Sequence, residues 1–477
     1  MKIVALVAPA LSVLMLINPA SSDDRIYANF PITVEGYSGK KTTSVSYTGQ
    51  IARHALHDSL KKIAGSSGSP DDLRARMTAY FSGKDDERAI IAPVTKGPFA
   101  VTQTRIADIS KGKNLSSKTY KGTVAGMPNN MTGAELVNFW IDKAASATKG
   151  VDLANGYNYP QLISKFLMGA IFYNQVVDGY LDENLGSDKK PNDKPYKSGA
   201  AYTGKEHSWD EAFGYFGTPA HTMKLTPRQV YEIAKQGSKS KKPKDALAFA
   251  DHNKDGKVNL KTEMTFSPAY YAAGFDASVY DKGNATSYLH IITAAFLDGR
   301  EILTVADGKK LTETQRAKLR AQAAIIGENW ERVFAEAIFK YAGSAYKDMV
   351  KIKTLLDAKH DASKATKAYI KHWSELKGFS LALQTGKTSL GETATRLNRM
   401  VGFGPLLPNL SQVVDIDRKG NFVRDQGASW GEYMMHMIKV QSLMIDKFSV
   451  KARNNDMTSE LATLSETLGE SESAEND

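Results

Sequence analysis

The densest run of oxygen ligands in the sequence is Asp251-His-Asn253-Lys-Asp255-Gly256-Lys257-Val258-Asn259. Oxygen-bearing side chains stand first, third and fifth, a glycine sixth, an aliphatic residue eighth and Asn259 ninth, which is the order of a calcium-binding EF-hand loop. Calcium takes roughly six to eight hard oxygens, and short side chains on alternate residues of a tight loop converge to supply them. The run departs from the pattern at its end. Thr262 holds the twelfth place, and the carboxylate able to bind through both oxygens, Glu263, comes one residue late. Lys254 and Lys257 also lower the local negative charge. The expectation is a Ca2+ site built from Asp251, Asn253, Asp255, the Lys257 carbonyl, Asn259 and Glu263. The alternative is an Asp-Gly turn that uses the same oxygens for backbone bonds.

A second constellation pairs imidazole with carboxylate. His207 and Asp210, with Glu211 beside them, and His372 and Glu375 each set the two groups three residues apart. That spacing points both to one side of a helix, the means by which a helix gives two ligands to iron or another transition metal. Glu328 with Glu331 and Glu432 with His436 offer further pairs. A single pair is equally well explained by a helix end or a surface ion pair. Only convergence of two pairs would make a metal centre.

Other motifs are weaker. Ser208-Trp-Asp-Glu211 and Ser429-Trp-Gly-Glu432 both read as capping boxes, the Ser oxygen taking an orphan amide and the Glu reaching back. Gly427-Ala-Ser429-Trp-Gly431 has the letters of a nucleophile elbow, but no parallel-sheet pattern surrounds it. Gly386-Lys387-Thr388 lacks the earlier glycine of a phosphate loop, and there is no HExxH zinc motif.

The elements that must position these groups are helical. Leu162, Phe166, Ala170, Tyr173, Val177 and Leu181 recur at steps of three and four, and predict a helix over 161–181. Similar stripes run over 326–341 and 430–448, with further helices over 364–384 and 388–400. Thr43-Ser-Val-Ser-Tyr-Thr48 predicts a short strand or extended arm, and strand alternation is nearly absent after it. Residues 83–131 read as a long, partly ordered excursion, and Ser187–Lys205 and Gly237–Lys244 as polar loops. The fold class is mostly α: a multi-helix bundle with long loops, a short extended N-terminal arm and an EF-hand-like loop.

The 477 residues divide into a signal peptide (1–22), an N-terminal arm and helices with long loops (23–132), a helical body (133–453) and an acidic, disordered tail (454–477). The leader combines Lys2, an apolar stretch from Ile3 to Ile17 and small residues at Ala20 and Ser22. It predicts export to the periplasm or cell surface, with no transmembrane span once it is removed. A formal charge of +10 over the whole chain, with seven acidic and no basic residues after Arg453, makes the body strongly basic. Such a body favours an anionic envelope surface or acidic ligands, and the leader argues against nucleic acid. Cysteine is absent, which excludes disulfides, thiolate metal sites and cysteine nucleophiles.

Several segments together resemble an uncharacterised family of exported bacterial helical proteins, often surface lipoproteins: Ser44–Gln50, His207–Gly217, Asp255–Glu263, Ala295–Arg300 and Lys371–Phe379. The resemblance implies an extracytoplasmic helical protein, although the anchoring cysteine of the lipoproteins is missing here. A more distant likeness is to the imelysin-like proteins, an iron-regulated exported family with a Gly-x-His-x-x-Glu signature. In this chain Lys205 stands in place of that Gly and Asp210 in place of that Glu. The likeness implies a role in iron or metal acquisition at the envelope, with envelope uptake components as partners.

The function expected is therefore an exported, non-enzymatic envelope binding protein with a calcium loop. The alternatives are a metal-dependent, peptidase-like hydrolase with Glu211 as base, or a scaffold or adhesion protein.

Overall fold

Helix starts in this chain are set by residues that satisfy orphan amides. Thr132 with Glu135, Thr203 with Glu206, Thr226 with Gln229, Thr312 with Gln315 and Ser429 with Glu432 all form reciprocal capping boxes. The computed structural model describes residues 23–93, 97, 99–186, 189–238, 243–280, 285–388 and 390–469. The leader assigned to 1–22 and the last eight tail residues lie outside the described residues, as do 187–188 and 239–242 of the two polar loops.

In chain order the helices are α1 (Thr48–Ala64), α2 (Pro70–Phe81), α3 (Ile106–Ile109), α4 (Gly133–Ser146), α5 (Tyr159–Leu167), α6 (Gly204–Phe216), α7 (Pro227–Ala234), α8 (Pro243–Ala250), α9 (Ser267–Val279), α10 (Tyr288–Val305), α11 (Glu313–Asp357), α12 (Ser363–Ala382), α13 (Gly391–Val401), α14 (Trp430–Phe448) and α15 (Glu460–Gly469). Two antiparallel hairpins accompany them, β1 (Val151–Asp152) with β2 (Tyr157–Asn158), and β3 (Ser411–Ile416) with β4 (Phe422–Gln426). The class is mostly α, a multi-helix bundle. No helix among the described residues is long and apolar enough to cross a membrane.

The bundle is organised on α11, which packs against α10, α12 and α14. Its apolar stripe of Ile326, Trp330, Val333, Phe334, Ala337 and Ile338 is fully buried. The helix expected over 161–181 is more particular. After Leu167 it widens into π-helical segments, Met168–Tyr173 and Gln175–Tyr180. Two causes are visible. Tyr120 donates its amide to the Ala170 carbonyl from outside (2.6 Å), and a side chain at Gly169 would meet the Ala382 backbone at 2.5 Å. The ladder gives way where another chain segment presses in and takes an acceptor.

The excursion over 83–131 is tied by one buried cation. Arg88 donates to the carbonyls of Asp85, Ala79 and Lys113. The N-terminal arm stays extended without pairing as a strand, and it is held by a second cation. Arg300 of α10 is fully buried and donates to Asp210 Oδ1 (3.0 Å), Glu206 Oε1 (2.9 Å) and Ser44 Oγ (2.5 Å). Asp210 also accepts from the Tyr27 hydroxyl and the Ser46 amide, and Glu206 from Thr33. Burial pushes the Asp210 carboxyl up to about 6 despite the opposing pull of Arg300.

Two expectations need correction. Ser208–Glu211 is not a capping box, because Ser208 lies inside α6, which starts at the Thr203–Glu206 box. The tail is ordered as far as Gly469: Glu336 accepts the amides of Lys451, Ala452 and Arg453, the Gln441 side chain binds both Asn455 and Met457, and α15 follows.

Lys377 of α12 is buried with no carboxylate beside it, and donates to the Gly126 and Gly402 carbonyls at 2.5 and 2.6 Å. Burial pulls its amine down to about 7 from an ordinary 10.5. Above pH 7 the unfolded chain keeps a proton that the folded chain has released, so stability rises with pH until the unfolded lysine titrates. Urea unfolding of the parent protein and Lys377→Met, compared from about pH 7 to about pH 9.5, is expected to show that rise in the parent and a flatter profile in the variant. Arg300→Met leaves two buried carboxylates without their cation, and is expected to cost about 3–5 kcal/mol of unfolding free energy by the same measurement at neutral pH.

Candidate functional site

The loop 251–263 folds as a tight turn between α8 and α9. Asp251 accepts the amides of Asp255 (3.1 Å) and Gly256 (2.8 Å), Asn253 accepts from Asp255, and Asp255 accepts from Lys257. Gly256 has a φ of +82°, the conformation a side chain resists. Val258 bridges to Val101 through the Ala100 and Thr102 backbone, and Gln103 binds Asn259 and the Leu260 amide. Glu263 is buried, and both its oxygens are in use: Oε1 accepts the His252 and Asn253 amides, Oε2 the Asn259 amide at 2.7 Å. The side-chain oxygens of Asp251, Asn253, Asp255 and Glu263 all accept backbone amides of the loop.

The imidazole–carboxylate pairs are held separately. Asp210 belongs to Arg300. Glu211 accepts from Gln50 at 2.7 Å and stands 3.7 Å from His207, whose ring stacks on Tyr202 and also touches Tyr196. His372 Nδ1 meets Asp348 at 2.6 Å, and Glu375 faces Lys165. Glu328 sits 3.7 Å from Arg332, and Glu432 caps α14. Among the described residues no group of three or more His, Asp or Glu side chains is arranged to hold a metal ion.

What the fold does bring together is lysine. A cleft of about 900 Å³ opens between α1, α5, the end of α7, α9, α11 and α12. Six lysines line it: Lys61, Lys62, Lys165, Lys235, Lys340 and Lys371. Among the described residues only two carboxylates, Asp58 and Glu375, share the wall with them, and His372 joins from α12. Lys165 is fully buried, and its ammonium pairs with Glu375 Oε1 at 3.5 Å. Glu375 also accepts from the Tyr341 hydroxyl (3.3 Å), which meets the Tyr271 hydroxyl at 3.1 Å. Lys235 lies over the Tyr270 ring at 4.3 Å.

The electrostatics follow from that census. Burial pulls the Lys340 ammonium below the ordinary lysine range; Glu375 opposes it, and Lys165, Lys235 and Lys371 add to it. Burial raises the Glu375 carboxyl, but Lys165, Lys371 and Lys61 outweigh it and hold the group below the usual range. A walled cavity with surplus positive charge is suited to an anion.

Sequence reasoning located Glu375 and His372 but cast them as metal ligands, and it missed the lysines. One signal was available: Lys165 stands on the apolar face of its helix, between Leu162 and Phe166.

Residues 144–241 match the model of a family described as a domain of unknown function (DUF4856). The matched stretch includes Gln161, Lys165, Met168 and Lys235 of the cleft, both π-helical segments and all of α6. Comparison with curated proteins gave no match, and comparison with solved structures gave none.

Glu263 provides a check on the loop. Glu263→Gln removes one of two oxygens that together take three amides, and is expected to cost about 1–3 kcal/mol in protein stripped with a chelator. Unchanged stability under those conditions would contradict the role of Glu263 as an amide acceptor.

Proposed function

We propose that this chain is a non-enzymatic binding protein for a small polyanion, a molecule carrying two or more phosphate or carboxylate groups, taken up in the lysine-lined cleft. One observation carries the reading: six lysines line a cleft with two carboxylates, Lys62 and Lys371 at its exposed rim, while Lys165 and Lys340 are largely withdrawn from water. Lysines on an open face are solvated and need no ligand. Lysines crowded inside a wall repel one another and resist protonation, and an arriving anion relieves both effects. The aromatic rings beside them add flat apolar contact for the body of the ligand.

In this reading the protein works outside the cytoplasm, as the leader suggests, and a metal reaches it as an anionic chelate through the cleft. That route is how a link to iron acquisition fits. The loop at 251–263 supports calcium as a second reading, because Asp251 already holds the Gly256 amide and Val258 is pinned to Val101. Binding would require Glu263 to exchange amides for the cation, so calcium affinity should be weak and should rise on adding a carboxylate at Thr262.

Calorimetry with inorganic pyrophosphate and with citrate at low salt tests the main reading. Both are expected to bind, with affinity falling as salt rises. Lys340→Gln and Lys371→Gln are each expected to weaken binding about tenfold or more, and Lys318→Gln on the exposed start of α11 to leave it unchanged. Silence with both anions at millimolar concentration would overturn the reading. So would sedimentation with anionic vesicles that survives both cleft substitutions in a protein that ignores the free anions, which would assign the basic charge to surface docking.

A further inference from the structure

A second cavity lies among α13, β3 and the start of α14, bordered by the chain at Ala125 and Gly126. Its volume is about 420 Å³, within the range of small-molecule sites. Phe403, Val413, Val414, Ala428 and the Tyr433 ring give it a mostly apolar wall. Among the described residues no acidic side chain lines it.

Most polar groups of this wall are committed to the fold. Gln412 donates to the Gly404 carbonyl at 2.8 Å, and the Tyr433 hydroxyl donates to Val401 while accepting from Trp373. Asn398 donates to the carbonyls of Ala125 (2.7 Å) and Ala394 (2.8 Å), and its oxygen is sealed against Gly126. Thr395 bonds back to the Gly391 carbonyl, and Lys377 pins the wall from behind through the Gly126 and Gly402 carbonyls. Two basic residues remain. Arg399 shares a face of α13 with Thr395 and Asn398, is exposed at the mouth, and forms no ion pair among the described residues. His436 follows Tyr433 by one turn of α14, half-buried, with its ring edge-on to the Tyr433 ring. Burial disfavours its protonation, Lys439 adds to that and Glu432 opposes it, so at neutral pH it offers one N–H rather than a charge.

A guanidinium at the lip of an acid-free apolar cavity is matched by a ligand with one anionic end. The apolar body of such a ligand gains by leaving water, and a carboxylate meets the arginine fork with two parallel hydrogen bonds. A polyanion is not matched, because its further charges would press uncompensated against apolar wall.

We infer that this cavity binds a small amphipathic monocarboxylate of aryl-alkanoic type, its ring against Phe403, Val413 and Tyr433 and its carboxylate at Arg399, with His436 as a second donor in the wall. The apolar wall supplies most of the affinity, and Arg399 supplies the preference for an acid over a neutral molecule of the same shape. The site is independent of the lysine-lined cleft and would stand if the polyanion reading failed.

The test uses the full chain and two probes of nearly equal shape, 4-phenylbutyrate and 4-phenyl-1-butanol, titrated by ligand-detected NMR. The first carries the charge and the second does not. The acid is expected to bind about fivefold more tightly, the scale of an ion pair at the mouth of a site. Arg399→Gln, at an exposed position, is expected to remove that advantage and leave the affinity for the alcohol unchanged. Ala428→Trp, at a half-buried position in the wall, is expected to abolish binding of both probes while keeping the circular dichroism of the parent and its response to pyrophosphate. Acid that bound instead among the cleft lysines would survive Ala428→Trp. Equal affinity for the two probes in the unmodified protein, an acid preference that persists in Arg399→Gln, acid binding untouched by Ala428→Trp, or no binding of either probe at millimolar concentration would each overturn the inference.

Discussion

Charge placed inside this bundle has to be answered, and the pairing of Arg300 with Glu206 and Asp210 is where the requirement is most severe. All three side chains are cut off from solvent. An ion pair at that depth adds little net stability against an apolar alternative, but it tolerates only one arrangement of its partners. Here the arrangement specifies the fold's edge. Ser44, Ser46, Thr33 and Tyr27 bond to the same cluster, so the extended arm can lie only along α6 and α10. The arm has no sheet to join, and its apolar contacts, Tyr27 stacked on Phe213 among them, sit beside that cluster.

The same rule recurs with backbone amides as the answer. Glu336 takes three amides of the C-terminal segment, Asp276 takes the Tyr288 and Leu289 amides at the start of α10, and Glu263 takes three in the loop before α9. Carboxylates that look like chemistry in the sequence are thereby spent on architecture. A carboxylate accepting several amides fixes the backbone around it as firmly as a helix cap does. The lysines are treated differently. Two of them, Lys165 and Lys377, find internal partners, while Lys340 and Lys371 are left facing a cavity whose carboxylates are outnumbered.

Position in the bundle explains why a cleft can exist there at all. The helix that carries Lys165 leaves α geometry at Met168, itself part of the cleft wall, and continues through two wider segments. Close contact with Ala382 and the amide of Tyr120 force that change. A regular helix would carry its side chains forward in a different register against α12. The irregularity has its cause in the crowding of α5 and its continuation between neighbouring helices, and it begins at the edge of the cleft.

Local chemistry was legible in the sequence wherever a short range of residues decides the outcome. The apolar stripes over 326–341 and 430–448, the Ser429 box and the tight turn at Asp255-Gly256 follow from spacing and side-chain type alone. Spacing misled where the backbone is irregular. In β3 a bulge between Val413 and Asp415 puts the buried residues Val413 and Ile416 three apart, so the strand lacks the alternation by which strands are read. The Ser208 box failed because Thr203 offered an earlier start with an equally good partner. The partners of charge were beyond any local reading. Arg300 is separated from Asp210 by 90 residues and from Ser44 by 256, and the cleft lysines come from α1, α5, α11, α12 and the end of α7. Sequence determines which groups can carry charge and which helices can form. Only packing decides which charges meet, because an ion buried beside its counter-ion and one left facing a cavity are the same residue until the helices close around them.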